Sequence, residues 1–260
     1  MADMSLWLPA ALIGAAFGSF LNVCVYRWPA ELSVVQPRSR CGGCGHPIRW
    51  YDNIPVLSWL WLRGRCRDCG VGVSIQYPLV ELLTAAIWGL AFARFGLDVE
   101  ALRMALFLTV LLGIALTDAR EMVIPDQFSL GGAALGLILA ALPGGFSLVS
   151  AAVGAASGYV LMWVVKLAAE KALRKPALGV GDIHMMVLVG AFTGVTGVVL
   201  TLMLGCILGL VLGVPVLWIR GRLRPLESYL PLGLFLALGG AITFVWGPGI
   251  VDAYLAYVLS

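Results

Sequence analysis

Eight apolar runs, separated by short breaks that carry charges, glycine or proline, dominate the hydropathy pattern of the chain. They cover residues 6–25, 78–95, 101–117, 127–142, 146–165, 183–193, 196–219 and 230–247. A helix of about 20 residues spans the roughly 30 Å hydrocarbon core of a bilayer, so these runs predict transmembrane helices. The run at 183–193 is too short to cross upright. It predicts a tilted helix, a helix that begins in a water-filled cavity, or a half-helix.

The composition agrees with this pattern. Of the 260 residues 61% are hydrophobic and only 12% are charged, whereas soluble domains contain about 25% charged residues. The mean hydropathy is +0.97. The predicted fold class is an all-α polytopic membrane protein of about eight transmembrane helices, with the lipid bilayer as its surroundings. The net charge of +3 is too small to indicate nucleic acid as a partner.

The distribution of basic residues predicts the orientation of these helices. With the N-terminus outside, eight spans place segments 27–77, 118–126, 166–182 and 220–229 in the cytoplasm. Fifteen of the 17 lysines and arginines fall in these segments, as the positive-inside rule requires. The start of the chain has no basic stretch ahead of the first run. We therefore expect that run to be retained as a helix and not removed as a signal peptide.

The largest polar segment predicts a small cytoplasmic domain inserted between the first two helices. The chain then divides into a first helix (1–27), the inserted domain (28–77) and a transmembrane domain (78–260). The inserted domain contains two Cys-x-x-Cys pairs, each followed by glycine and separated from each other by 21 residues. Two such pairs can present four thiolates tetrahedrally to one metal ion. The predicted ligands are Cys41, Cys44, Cys66 and Cys69.

We expect this metal to be a structural Zn²⁺, because four cysteines leave no open position for catalysis. Redox-active pairs and unligated thiols are the alternatives. Disulfides are disfavoured in the cytoplasm, which argues against the first of these. His46 follows the first pair closely, and we expect it to be a polar neighbour of the cluster.

Two aspartates are candidate catalytic residues. Asp118 ends the third run and Asp182 begins the sixth, so the predicted topology places both at the cytoplasmic ends of their helices. Ionisable groups near hydrocarbon indicate function, and two close carboxylates that share one proton suit acid–base hydrolysis of a peptide bond. Gly179 and Gly181 would allow backbone or substrate to approach Asp182. The alternative is that each aspartate is an interface residue, with Asp182 as a helix N-cap.

Three further polar residues have open or structural interpretations. Asp126 follows proline and is expected to be the N-cap of the fourth helix. Glu81, in the second run, either bonds to a neighbouring helix or lines the site. His184 lies two residues beyond Asp182, so it points to another side of the helix. We expect it to pack near the interface, and a proton-shuttle role is the alternative.

Seven stretches of the sequence together carry a resemblance to a known family. They are GSFLNVCVYR (18–27), SRCGGCG (39–45), IRWYDNIPVLSWLWLRGRCRDCG (48–70), YPLVELLTA (77–85), TDAREMVIPD (117–126), ALGVGDIHMM (177–186) and LPLGLFLALGG (230–240). In these motifs the chain resembles the type IV prepilin peptidases, the bifunctional leader peptidases and N-methyltransferases of type IV pilus and type II secretion systems. The four-cysteine insert is similar to that of the bacterial branch.

The resemblance implies an inner-membrane aspartyl protease of the GxGD type, whose two essential aspartates fall on Asp118 and Asp182. It implies cleavage of the basic leader of prepilins or pseudopilins at the cytoplasmic face, after a glycine. Methylation of the new N-terminal residue with S-adenosylmethionine would follow. S-adenosylmethionine rests on the resemblance alone, because residues 28–77 contain no glycine-rich nucleotide loop. The chain departs from the family at His184, usually lysine, and at Leu234, usually the proline of Phe-Gly-Pro.

Two other function classes compete with the peptidase. Intramembrane acids and a short, discontinuous helix also suit a proton- or ion-coupled transporter. Against this, both aspartates are predicted at one membrane face and not at the midplane. A non-catalytic assembly factor, with aspartates that only cap helices, is the third hypothesis.

Overall fold

All regular structure in the described residues is helical. The computed structural model describes residues 5–176, 178–219 and 231–259. Its α-helices are α1 (Trp7–Arg27), α2 (Leu57–Trp61), α3 (Gln76–Phe95), α4 (Val99–Glu121), α5 (Asp126–Ala140), α6 (Leu148–Leu173), α7 (Val180–Leu208), α8 (Val214–Ile219) and α9 (Leu232–Val258). The predicted class, an all-α polytopic membrane protein, is confirmed. The chain forms two compact units, residues 1–109 and 110–260.

In the first unit α1 packs against α3 through glycines. A Cβ at Gly14 would lie 2.6 Å from the Cβ of Trp88, and a Cβ at Gly18 would lie 2.7 Å from the Cα of Glu81. Small residues four apart let two helix backbones approach closely, which is a common way of packing helices in lipid. This contact fixes the N-terminal half of α3, including Glu81, directly against α1.

In the second unit α6 and α7 make the closest backbone contact. A Cβ at Gly154 would lie 2.2 Å from the carbonyl oxygen of Gly190, and a Cβ at Gly158 would lie 2.1 Å from that of Met186. The pairing of 154 with 190 and of 158 with 186 shows that the helices are antiparallel. Glycines of α5 also face α7: position 132 lies against Leu188.

The chain reverses its direction within α7. Gly194 has φ 70° and ψ −172°, a backbone conformation that is essentially restricted to glycine. In a straight helix Val189 and Thr201 would be about 18 Å apart along the axis. Their methyl carbons lie instead 3.6 Å and 3.7 Å from the Cβ position of Gly240 in α9. The segments on either side of Gly194 therefore lie side by side as two arms.

This reversal explains why the sixth apolar run is short. Runs 183–193 and 196–219 are the two arms, and each of the eight predicted runs falls on a helical segment. Six helices in the described part of the chain are long and apolar enough to cross a membrane when Val180–Val216 counts as one; Asp126–Ala140 is apolar but shorter. Ala177 and residues 220–230, with the predicted cytoplasmic segment 220–229, lie outside the described residues. The division at 27 and 77 stays a prediction.

The α6–α7 contact predicts a large effect of one methyl group. We expect Gly154→Ala to lower the free energy of unfolding by about 1–3 kcal/mol or more, because the new Cβ overlaps the Gly190 carbonyl. The matched control is Gly131→Ala in α5, whose added Cβ would have its nearest neighbour 4.0 Å away. Unfolding midpoints of the detergent-solubilised variants measure the difference. Equal midpoints for the two variants would contradict this packing.

Candidate active site and cysteine cluster

Asp118 lies near the C-terminal end of α4 and is 6% exposed. Its Oδ2 accepts a hydrogen bond of 2.8 Å from the backbone N–H of Leu234. Leu234 belongs to the first turn of α9, where amide groups have no acceptor within the helix and the helix dipole favours a negative charge. A Cβ at Gly233 would lie 2.9 Å from the same oxygen, so glycine permits this approach.

Asp182 occupies the first turn of α7. The N-cap of this helix is Gly179. The alternative interpretation, in which Asp182 itself is the N-cap, is therefore wrong. The Gly179 amide nevertheless donates to the Asp182 carboxylate, as in the second half of a capping box. A Cβ at Gly179 would lie 3.2 Å from Asp182 Oδ2. The carboxylate therefore sits close against a glycine backbone.

Ile124 links the two aspartates. It packs on Gly181, whose Cβ position is 3.0 Å from the Ile124 Cβ, and on Gly233, whose Cβ position is 2.6 Å from the Ile124 Cδ1. The same Cβ position of Gly233 lies 2.9 Å from Asp118 Oδ2. The structure thus brings the two predicted carboxylates together at the start of α7 and α9. Gly181 gives Ile124 the space that this arrangement needs.

His184 and Asp126 form a pair that the sequence did not predict. Asp126 is the first residue of α5, the N-cap is Pro125, and no side-chain capping hydrogen bond is formed. The N-cap prediction for Asp126 is therefore wrong. Its Oδ1 lies 2.7 Å from His184 Nδ1 instead. The pair joins the beginnings of α5 and α7, and so holds the first turn of α7 in place beside Asp182.

Glu81 belongs to the first unit and is 7% exposed. Its Oε2 accepts a hydrogen bond of 2.7 Å from the backbone N–H of Val56, and the carboxylate also bonds to Ser19 of α1. Of the two interpretations of Glu81, the bond to a neighbouring helix is therefore correct. The contact with Val56 ties the inserted segment to α3. No sequence pattern signalled this contact, because 25 residues separate the two groups.

The four cysteines of the insert converge as predicted. Their sulfur atoms all lie within 4.8 Å of one another, and Cys41 Sγ lies 3.7 Å from Cys69 Sγ. Four sulfurs bound tetrahedrally at about 2.3 Å from one zinc ion would be about 3.8 Å apart. The donor set and its spacing therefore fit a metal of this kind. His46 is not part of the cluster.

The two cysteine pairs adopt the same local fold. The amides of Gly45 and Gly70 donate to the carbonyls of Cys41 and Cys66, each over 2.9 Å. Both glycines have positive φ, 70° and 71°, a conformation that favours glycine. The turn directs the amides of Cys44 and Gly43 at Cys41 Sγ, and they lower the pKa of that thiol to about 6. A thiolate at neutral pH is the form that binds metal.

Ion pairs brace the rest of the inserted segment. Arg67 donates to both carboxylate oxygens of Asp52, with Nε 2.9 Å from Oδ2, and its guanidinium lies over the ring of Tyr51. The hydrogen bonds from Arg67 hold the pKa of Asp52 below its usual range. Arg49 pairs with Asp68 over 3.5 Å. These pairs neutralise the four charged groups among themselves.

Comparison with known proteins adds a family to this geometry. The bacterial Peptidase A24 N-terminal domain model matches residues 12–95, and the type IV leader peptidase family model matches residues 105–214. No solved structure matches the chain.

Several curated proteins with the name prepilin leader peptidase/N-methyltransferase are similar to the chain. The protein from Aeromonas hydrophila is 34% identical, over 97% of this chain and 96% of its own length. That from Pseudomonas aeruginosa is 36% identical, over 95% and 92%. That from Myxococcus xanthus is 37% identical, over 82% of this chain and 64% of its own length. With its paired aspartates and its four-cysteine insert, the chain belongs to the type IV leader peptidase family.

Proposed function

We propose that the protein is a membrane aspartyl endopeptidase that removes the basic leader from prepilins or pseudopilins, after a glycine, at the cytoplasmic face of the inner membrane. This proposal rests on the position of two acids in an apolar protein. Asp118 contacts the first turn of α9, Asp182 lies in the first turn of α7, and Ile124 contacts both helix starts. The relatives' names supply the substrate class. The 15 basic residues in the predicted cytoplasmic segments support the orientation.

The two carboxyl groups divide the work of hydrolysis. We infer that the two neighbouring carboxyl groups share one proton, because a negative charge on one disfavours ionisation of the other. The ionised group takes a proton from water, whose oxygen attacks the carbonyl carbon, while the protonated group donates its proton to the carbonyl oxygen. Collapse of the tetrahedral intermediate then breaks the C–N bond. The leaving amine receives a proton from the carboxyl that took one from water, and a hydroxyl of the intermediate returns its proton to the other carboxylate. The amides of Leu234 and Gly179 hold the two carboxylates in place.

The surrounding apolar helices suit a substrate that enters from the bilayer. The apolar N-terminal helix of a pilin precursor can approach laterally while its basic leader stays at the cytoplasmic mouth. Binding of that helix positions the scissile bond next to the water and the carboxylates. Positioning of this kind supplies a large part of the rate enhancement in enzymes.

We predict that Asp118→Asn and Asp182→Asn each reduce prepilin cleavage by about 10³-fold or more, because asparagine neither takes nor gives the proton. Asparagine still accepts hydrogen bonds from the helix-start amides, so both variants should fold. Cleavage of a purified prepilin, with the melting temperature as folding check, measures this. Asp252→Asn, an exposed change in α9, is the matched control.

Near wild-type cleavage by either folded variant would overturn the dyad. The interpretation as an assembly factor would then regain support, since it needs the aspartates only for capping. Ion transport by reconstituted wild-type protein without any cleavage would favour the transporter instead. No contact in the described residues favours that alternative now.

We infer further that Cys41, Cys44, Cys66 and Cys69 hold a structural Zn²⁺. The ion would close two loops of the chain on each other and so stabilise the inserted segment, which contains only short helical turns. Four thiolate ligands leave no position for substrate. The zinc therefore contributes to folding and not to hydrolysis.

We expect about one zinc ion per wild-type chain and essentially none in Cys44→Ser, because three thiolates bind the ion far less tightly than four. Elemental analysis of the purified proteins gives the ratio. Cys206→Ser, which changes an exposed cysteine outside the cluster, should keep its zinc. A zinc content that does not differ between the two variants would contradict the assignment.

We also propose that the protein methylates the new N-terminal residue, with S-adenosylmethionine as methyl donor. The relatives' names support this second activity. When bound, the donor supplies a methyl group on a positively charged sulfur. Transfer would form a C–N bond to the amine as the donor's C–S bond breaks with its electrons on sulfur, and the amine's surplus proton would leave to water.

A further inference from the structure

A cavity of about 490 Å³ lies in the first unit, between the cysteine segment and the facing sides of α1 and α3. Small-molecule sites typically measure about 300–1,000 Å³. Its walls include Cys41 and Cys66, so the cysteine cluster shapes one side. Glu81, near the start of α3, also lines the cavity. The peptidase mechanism uses none of these residues.

Glu81 is a buried carboxylate without a cationic partner. Its partners are neutral: the amide of Val56 and the hydroxyl of Ser19. Within the part of the chain that the structure describes, no lysine, arginine or histidine forms an ion pair with it. A buried charge is unfavourable unless it is paired. A cationic ligand in the cavity would provide the missing charge.

Four arginines line the cavity, namely Arg40, Arg49, Arg65 and Arg67. No ion pair in the described residues joins any of them to Glu81. Arg67 is bound to Asp52 and Arg49 is bound to Asp68, although all four residues line the same cavity. The charges of Arg49 and Arg67 are therefore satisfied locally. The carboxylate of Glu81 stays available to a ligand.

The backbone that holds Glu81 is strained. Val56 has φ 62° and ψ −52°, which is an outlier for a β-branched residue. The strained residue is the one whose N–H donates to Glu81. Unfavourable backbone conformations of this kind concentrate at binding and catalytic sites. The strain therefore points to a carboxylate that is held in a required position.

Aromatic side chains complete the cavity. Tyr26 and Tyr77 stack with their ring centroids 5.7 Å apart, and Trp59 is fixed by a hydrogen bond of 3.0 Å from its Nε1 to the carbonyl of Val73. All three rings line the cavity. Aromatic faces attract organic cations and stack on nucleobases. A nucleoside that carries a positive charge combines both kinds of group.

We propose that this cavity binds S-adenosylmethionine, with the Glu81 carboxylate facing the sulfonium and the aromatic rings facing the rest of the ligand. The proposal rests on the methyltransferase half of the proposed function and adds its binding site. It also gives the cysteine cluster a second role, beside stabilising the inserted segment. Cys41 and Cys66 fix a wall of the methyl-donor site, far along the chain from the peptidase aspartates.

The test measures binding of S-adenosylmethionine and of S-adenosylhomocysteine to the zinc-loaded, detergent-solubilised full chain by equilibrium dialysis. The second ligand lacks the sulfonium charge and is otherwise closely matched. We expect Glu81→Gln to weaken S-adenosylmethionine by about tenfold or more and S-adenosylhomocysteine by less than about twofold, because the variant removes one charge pair. Glu31→Gln, an exposed change outside the cavity, should affect neither ligand.

A second variant tests the location. Val73→Trp enlarges a side chain that lines the cavity without changing a charge, and we expect it to weaken the binding of both ligands alike. Zinc content and melting temperature of each variant establish that the fold is kept. Unchanged binding in a folded Val73→Trp protein would place the ligand elsewhere.

The remaining outcomes separate this inference from the proposed function. Equal weakening of both ligands by Glu81→Gln would overturn the pairing of Glu81 with the sulfonium, as would no weakening. Wild-type protein that cleaves prepilin but neither binds S-adenosylmethionine nor methylates the product would remove the methyltransferase activity itself. If the wild-type protein methylates its product and Glu81→Gln binds S-adenosylmethionine as tightly as wild type, only the assignment of Glu81 to the binding site would be overturned.

Discussion

The amide groups at the start of a helix have no acceptor within that helix, and in a membrane protein water is scarce to replace one. This constraint organises the second unit. The α9 amide of Leu234 is satisfied by Asp118, and the α7 amide of Gly179 by Asp182. The groups that complete these two helices are therefore the groups proposed to hydrolyse the substrate. Capping does not argue against the proposed catalysis, because a carboxylate that is fixed by an amide would also be positioned for proton transfer.

The same solution recurs in the first unit with a different purpose. Glu81 accepts the amide of Val56, a residue outside any long helix, and so fastens the inserted segment to α3. Glycines make room for each of these contacts: Gly18 brings α1 against Glu81, and Gly233 brings α9 against Asp118. Close backbone packing and buried carboxylates thus depend on each other, since a side chain at either glycine would displace the acid beside it.

Much of this arrangement follows from local sequence, and the rest depends on how helices are rotated against each other. Three features can be predicted from the sequence because they depend on spacing or on the alternation of spans. They are the apolar runs, the paired cysteines and the predicted common depth of Asp118 and Asp182. The sequence does not predict the Asp126–His184 pair or the Glu81–Val56 hydrogen bond, because both depend on which faces of distant elements meet. The N-cap prediction for Asp126 was wrong for this reason: a histidine 58 residues away competes for the carboxylate.

The reversal at Gly194 decides at which end of the second unit α9 begins. Because the second arm returns along the first, α9 starts at the end at which α7 starts, where Ile124 contacts both Gly181 and Gly233. Had this segment crossed once, Leu234 would stand on the opposite face from Asp182, and Asp118 could reach one of them but not both. A single glycine in the middle of an apolar stretch thus decides whether the two acids can share a site, although it touches neither of them.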